Sequence, residues 1–589
     1  MNPRRLIFAG LIGGIAVIYL GLVGLLAKFA ERNLIGELVT GSRAMVAAAA
    51  FCAGYVATRP RVVAGELQRV DGARAGAAGA LVGATSGALV GLSVVFVDWF
   101  GLDRIRDIFV GVSPDLLDFL SFGLSIWAAV GVLTVAGAIF GGLGGAFRSL
   151  DPAIRRPLGN AVVITLLMAL LQRIVPVAMQ EVGLDPDWLY SPVTGGLTWI
   201  GAAVVFLVSL GLSVAWMRRG DRVRASVRTI TQEQPSAKVA AAAIVIGLLA
   251  LIPVLLGTVV SDVLGTAMIF LLLAIGLNIV VGYAGLLDLG YVAFFGFGAY
   301  TTALLTGATL NTTTGAAAPA ISLDLNFYVA IPIVVMLAAG AGVLIGAPVL
   351  RLRGDYLAIV TLGLGEMVSI LITSNWLAPL VGGPQGMRDV TDAAIGGFGF
   401  REPHHFFYLA LAFVAIAIFV SWRLASSRIG RAWNAMREDE QVADAMGIST
   451  TRFKLLAFAM GGAIGSLGGA LLGVKLGSLT PASFEYIVSI TVLSIVILGG
   501  MGSIPGVVVG ALVLIGLPGL LREFEEYRQL IYGAVLVAIM ILRPQGLIPN
   551  VRRSRELHEE DRAQDKWASD LSGDEDVAAP LTPLGEGAG

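Results

Sequence analysis

Cysteine and histidine are nearly absent from this sequence. One cysteine, Cys52, among 589 residues excludes a disulfide framework and a cysteine-ligated zinc site. Three histidines, His404, His405 and His558, leave little for a histidine metal centre. No metal and no cofactor is therefore expected. Charge is scarce as well, 14% of residues against about 25% in ordinary soluble domains. A formal net charge of −1 provides no basic field for nucleic acid. No G-x-x-x-x-G-K-[ST] run occurs, so the chain carries no P-loop. It is not expected to be an enzyme, and any ATP hydrolysis that drives it must sit on another protein.

What is abundant is apolar. Hydrophobic residues make up 56% of the chain, against about 45–50% in soluble proteins. There are 76 glycines with no G-X-Y period, and excess glycine is common where membrane helices pack closely. The fold class that follows is an all-α polytopic membrane protein.

About 20 apolar residues span a bilayer as a helix. Candidate spans fall at 6–27, 44–57, 75–97, 120–147, 158–178 and 194–217. Further candidates fall at 239–261, 262–282, 285–305, 326–349, 355–377, 405–425, 453–476, 485–500, 505–521 and 529–543. These are about sixteen crossings, six N-terminal and about ten beyond them. Residues 44–57 are short for a crossing, and 285–305 and 485–500 read as re-entrant or broken helices. The run at 6–27 exceeds a signal-peptide core and reads as a retained helix.

Loop charge supports the count. Arg4 and Arg5 precede the first span, and Arg59, Arg61, Arg69 and Arg74 follow the second. The next loop is acidic, with Asp98, Asp103, Asp107, Asp115 and Asp118. Basic and acidic loops go on alternating, which places both termini in the cytoplasm. Residues 218–238 are polar and basic and separate an N-terminal membrane extension, 1–217, from a second membrane domain, 239–550. The acidic tail 551–589 cannot bury enough apolar surface to fold. Arg173 and Lys475, inside apolar runs, read as interface or helix-pair residues rather than ligands.

Gly282–Tyr300 reads GYAGLLDLGYVAFFGFGAY. Gly282, Gly285, Gly290, Gly296 and Gly298 permit close backbone approach or a helix broken inside the membrane. Asp288 is ionisable at or near membrane depth, where charge is costly. In LRLRGDYLAIVTLGLGE, Arg351 and Arg353 stand at the entrance of a span, with Glu366 about three turns in. A carboxylate there either meets a substrate's ammonium group or joins two helices. Gly382, Gly383, Pro384 and Gly386 in GGPQGM form a tight, shaped outer loop. Residues 426–454 are a polar interruption. Ala432–Met446 has helical composition, with Trp433, Met436, Val442 and Met446 apolar among charges, and Gly447 ends it. Its mixed charges favour a partner protein's groove over anionic lipid.

The matching stretches are GYAGLLDLGYVAFFGFGAY, LRLRGDYLAIVTLGLGE, GGPQG, GRAWNAMREDEQVADAMGI, ILGGMGSIPG at 497–506 and RPQGLIP at 543–549. In this order the segment 240–550 resembles the M-type (LivM) permease subunit of bacterial branched-chain amino-acid ABC importers. Residues 1–235 carry no comparable resemblance. The resemblance implies a subunit of the bacterial inner membrane, importing branched-chain or other hydrophobic amino acids on ATP. It implies a second, LivH-like permease, two cytoplasmic ATPase subunits and a periplasmic or surface binding protein as partners. It also implies a cytoplasmic coupling helix that carries Arg437, Glu438, Asp439, Glu440, Ala443 and Gly447. Of the E-A-A-x-x-x-G pattern found in many importer permeases, only Ala443 and Gly447 are kept here, and Gln385 stands where Asn is common. Permeases for urea, short amides or other amino acids share this architecture, and an ion-coupled transporter working alone is the rival of another class.

Overall fold

In a bilayer each backbone N–H and C=O must find a partner within the protein, which leaves an apolar chain little choice but helix. The computed structural model describes residues 3–233 and 257–520, less 31, 38, 60, 64–65, 69–71, 110–111, 114–115, 122, 173, 182, 313–314 and 350–354. It also describes 533, 536–537 and 546–548. Most of the expected spans 239–261 and 529–543, the end of the 218–238 linker, Arg173, Arg351, Arg353 and the acidic tail lie outside the described residues. Among those residues, eleven helices are long and apolar enough to cross a membrane, and three shorter apolar ones join them. The protein is an all-α, multi-pass membrane protein. Its chain divides into two compact units, Met1–Ile246 and Gly247–Gly589.

The N-terminal unit holds α1 (Pro3–Leu22), α2 (Gly41–Ala57), α3 (Gly72–Phe100), α4 (Ile126–Ser149), α5 (Pro152–Leu170) and α6 (Trp199–Glu233). Its centre is a glycine seam between α3 and α4. A Cβ on Gly83 would stand 1.9 Å from the Gly137 carbonyl oxygen, and one on Gly79 would stand 2.3 Å from that of Gly141. Only glycine lets two membrane helices approach so closely. Helix α5 stops well short of the expected residue 178. A separate short helix, Val175–Glu181, follows, and it carries Pro176 in its first turn, where a missing N–H costs nothing. The released carbonyls are taken up instead: Tyr190 Oη donates to Met168 at 2.6 Å, and buried Arg32 Nη1 donates to Leu170 at 3.3 Å. Helix α6 runs on through most of the polar stretch 218–238, to Glu233.

The second unit begins with α7 (Gly257–Tyr283). Residues 257–261 belong to this one helix, so the expected break at 261 does not occur. Then follow α8 (Val292–Leu305), α9 (Phe327–Val349), α10 (Asp355–Thr373) and α11 (Pro403–Ser426). Two short helices, α12 (Arg428–Glu438) and α13 (Glu440–Ala445), lead into α14 (Thr450–Leu476). The unit closes with α15 (Tyr486–Gly499) and α16 (Ile504–Ala511). Helices α7 and α14 are the most deeply buried of the candidate spans and form the centre of the main core. Lys475 staples them together. Its ammonium meets the Asp262 carboxylate at 3.1 Å and carbonyl at 2.6 Å, and the Thr266 hydroxyl. The helix-pair reading of Lys475 therefore holds.

A small antiparallel sheet, absent from the sequence expectations, joins Ser478–Leu479, Met387–Arg388, Thr309–Thr312 and Gly315–Ala317 in that order. It fastens the loop after α14 and the GGPQGM turn to the strands after α8.

The seam predicts a sharp contrast in the N-terminal unit. Gly83→Leu should destabilise it by about 3 kcal/mol through forced overpacking. Gly131→Ala, whose new methyl would meet nothing within 4 Å, should leave melting in detergent unchanged.

Candidate coupling junction

The last turn of α7, Asn278–Tyr283, is a π turn. Such a wide turn inside a helix often marks a functional position. Beyond it the chain runs non-helically from Ala284 to Gly290 before α8 begins. The break leaves donors and acceptors without helical partners in a buried place, and side chains from three other elements and from the break itself take them up. Leu289 N donates to Thr361 Oγ1 of α10 at 3.0 Å, and Val292 N donates to Ser489 Oγ of α15 at 2.8 Å. Gly290 N donates to Asp288 Oδ1 at 2.9 Å, and Tyr291 Oη donates to the Gly461 carbonyl of α14 at 2.6 Å. Asp288 is 2% exposed, so its role here is to organise the start of α8.

The Gly282 carbonyl, at the helix end, accepts from Arg437 Nη1 of α12 at 2.7 Å. Gly285 has φ +72°, and a Cβ there would press to 2.7 Å from the Arg437 side chain. Asn278 Oδ1, fully buried, accepts from Gly502 N at 2.8 Å, in the turn after α15. Leu547 N and Ile548 N donate to the carbonyls of Leu498 and Gly499 at 2.8 and 3.0 Å. Four of the sequence motifs therefore converge on one junction. They are GYAGLLDLG, the polar loop around Arg437, ILGGMGSIPG and the GLI of RPQGLIP.

The polar loop differs from the single helix expected over 432–446. Asp439 is extended, at φ −152° and ψ 113°, and splits it into α12 and α13. Its carboxylate caps α13 by accepting from Gln441 N and Val442 N at 2.8 and 3.0 Å, the role an N-cap aspartate plays. Ser427 caps α12 in the same way. Gly447, at φ +87°, closes α13. The loop is fixed firmly to α14. Trp433 is fully buried and donates from Nε1 to the Phe453 carbonyl at 2.7 Å. Glu440 pairs with the buried ammonium of Lys454 at 2.6 Å.

The six residues singled out in this loop thus sit in different places. Arg437 and Ala443 face inward, Glu440 is half-buried in its ion pair, and Glu438, Asp439 and Gly447 are exposed. Between the exposed ones stand two bare apolar side chains, Val442 at 57% and Met446 at 80% exposure.

The other site residues also separate. Gly298 makes a close approach, since a Cβ there would lie 2.2 Å from the Ser466 carbonyl oxygen. A Cβ on Gly290 would likewise lie 1.9 Å from the Thr361 carbonyl oxygen, whereas one on Gly296 would make ordinary contact with Phe484. Glu366 is half-buried on α10 and belongs to no part of the junction. In the GGPQGM turn, Gly382, Gly383 and Gly386 all have positive φ, with Pro384 between them in a single 3-10 turn. Asn311 holds that turn to the sheet through its backbone N–H to Gly386 O and its Nδ2 to Gln385 O, at 3.1 and 3.2 Å. Among the described residues no cluster of three or more potential metal ligands occurs.

These contacts rank the stability of three variants. Trp433→Ala should cost about 3–5 kcal/mol by emptying a packed site. Arg437→Met keeps the stem but orphans the Gly282 carbonyl, at about 1–3 kcal/mol. Val442→Ala, on the exposed side, should fall within about 0.5 kcal/mol of the parent. Thermal melting of the purified protein checks the order.

A family profile described as branched-chain amino acid transport system / permease component matches residues 259–540. The high-affinity branched-chain amino acid transport system permease protein LivM of Escherichia coli is 41% identical over 319 residues, which are 50% of this chain and 71% of that protein. The probable branched-chain amino acid transport permease protein LivM of Methanocaldococcus jannaschii is 27% identical over 46% of this chain and 84% of its own length. The LivH permease protein of Salmonella typhimurium is 33% identical over 140 residues, 23% of this chain and 44% of that protein. No solved structure matches the chain.

Proposed function

Since the chain belongs to the branched-chain amino acid transport permease family, we propose that it is the LivM-like half of a permease pair in an ATP-driven importer of branched-chain or other hydrophobic amino acids. The observation that carries this reading is the family match across 259–540. The second permease is LivH-like. Two separate ATPase subunits bind on the cytoplasmic side, and a periplasmic or surface-anchored binding protein delivers the substrate. Both termini and the loop 426–454 lie in the cytoplasm of a bacterial inner-membrane protein.

In this account the ATPase grips α13. Val442 and Met446 enter an apolar groove, and Glu438, Asp439 and Asp444 meet basic groups at its rim. ATP-driven closure of the two ATPases moves α12 and α13. Trp433 and the Glu440–Lys454 pair transmit that motion to α14. Arg437 transmits it to the π turn of α7. The helices of the pair then alternate between outward-open and inward-open arrangements. The hydrogen bond from Gly502 N to Asn278 of the π turn gives this motion a defined entry point into the bundle.

The test is reconstitution of the complete complex in liposomes. ATP-dependent uptake of leucine is expected. The Val442→Asp, Met446→Asp double variant should lower uptake to about a tenth or less, as loss of a central apolar anchor does, with the protein's own melting unchanged. Uptake driven by a proton or sodium gradient through this chain alone would overturn the proposal.

A further inference from the structure

Helix α10 carries a carboxylate that no described residue satisfies. Glu366 is the twelfth residue from the start of α10 at Asp355, about 16 Å along it at 1.5 Å per residue. That is near the middle of a hydrocarbon layer about 30 Å thick. Among the described residues no donor or cation bonds its carboxylate. The inward stripe of the helix consists of Leu357, Ala358, Thr361, Gly365 and Ile372, all buried. Glu366 stands with the opposite stripe, at the i, i+4, i+7, i+11 positions 359, 363, 366 and 370. Ile359 and Ile370 there are 65% and 64% exposed, and a Cβ on Gly363 would meet nothing within 4 Å.

Helix α9 supplies the contrast. It too presents a bare apolar face, with Met336 at 74% and Leu344 at 77% exposure, but Phe327–Val349 contains no charged residue. Lipid tails can cover α9. They cannot cover α10, because an ionisable side chain at mid-depth is costly unless a polar group meets it. A notch at a glycine beside a polar side chain is how membrane helices receive one another.

We propose that the Ile359–Gly363–Glu366–Ile370 stripe of α10 docks a helix of the second permease subunit, which seats against Gly363 and donates a hydrogen bond to Glu366. This rests on the chain acting as one of two paired permeases. The paired subunit is a transmembrane protein of related sequence, as this chain's similarity to both LivM and LivH proteins implies. Its docking helix therefore carries a donor at mid-membrane depth on an otherwise apolar face.

The experiment uses the whole complex in native membranes, with an affinity tag on the second permease. A benzophenone amino acid placed at position 359 or 370 should crosslink to that subunit, and the same probe at 336 or 344 should not. Glu366→Leu should reduce recovery of this chain with the tagged subunit roughly fivefold, the size of one interhelical hydrogen bond in a membrane. Glu366→Gln, which still accepts a hydrogen bond, should restore most of that recovery. Two results would overturn the proposal. One is the absence of crosslinks to the second permease from 359 and 370. The other is full recovery of the Glu366→Leu chain, and if its uptake is then lost the carboxylate faces substrate instead. Should the unaltered chain bring down no second permease at all, the failure lies with the importer reading and not with the assignment of this face.

Discussion

A broken helix in a membrane must have its loose backbone groups satisfied by the rest of the protein, and the architecture of the second unit follows from that requirement. Between Tyr283 and Val292 the chain gives up its helical ladder. Thr361, Ser489, Asp288 and Arg437 restore the bonds it loses. Asp288 lies in the break itself and the other three come from different elements, so α10, α15 and α12 are each tied to the break by a polar contact. A single local defect thereby sets the relation of several helices. It also places a charged residue of the polar loop, Arg437, in direct contact with a π turn of the most buried of the candidate spans.

Glycine serves two kinds of packing, and the second unit uses both, since Gly290 and Gly298 also press on backbone carbonyls. In the N-terminal unit glycines face glycines across α3 and α4, and the backbones themselves come into contact. In the second unit several glycines instead leave room for side chains. Gly276 and Gly465 accommodate the ring of Tyr291, and Gly462 that of Phe294. The first kind of packing needs no polar groups and suits a continuous bundle. The second packs aromatic side chains around the break and leaves hydrogen-bond partners within reach of it. Residues 1–258 lie outside the stretch matched by the family profile.

Much of this was legible in the sequence. Apolar run length located fourteen of the helices seen among the described residues, because in lipid length and hydropathy decide the matter almost alone. The motif order identified the family. Other features depended on contacts that periodicity does not encode. The carbonyls at the end of α5 are taken up by two donors distant in sequence, Arg32 and Tyr190. The split at Asp439 was hidden because helical composition on both sides outweighs one capping residue. The sequence placed Arg437 among residues that face a partner, but its guanidinium reaches Gly282, 155 positions away. The exposed pair Val442 and Met446 was visible as apolar residues among charges. Which side of the loop they occupy became clear only once Trp433 and Met436 were seen to be buried.

The account turns on the claim that α12 and α13 receive the force of ATP hydrolysis. Hydrogen–deuterium exchange of the complex, with and without its ATPase subunits, measures this directly. The account predicts that adding the ATPases slows exchange over 439–447, while amides in the core of α14 remain unchanged. Equal exchange over 439–447 in both preparations, with the ATPases demonstrably bound, would contradict it.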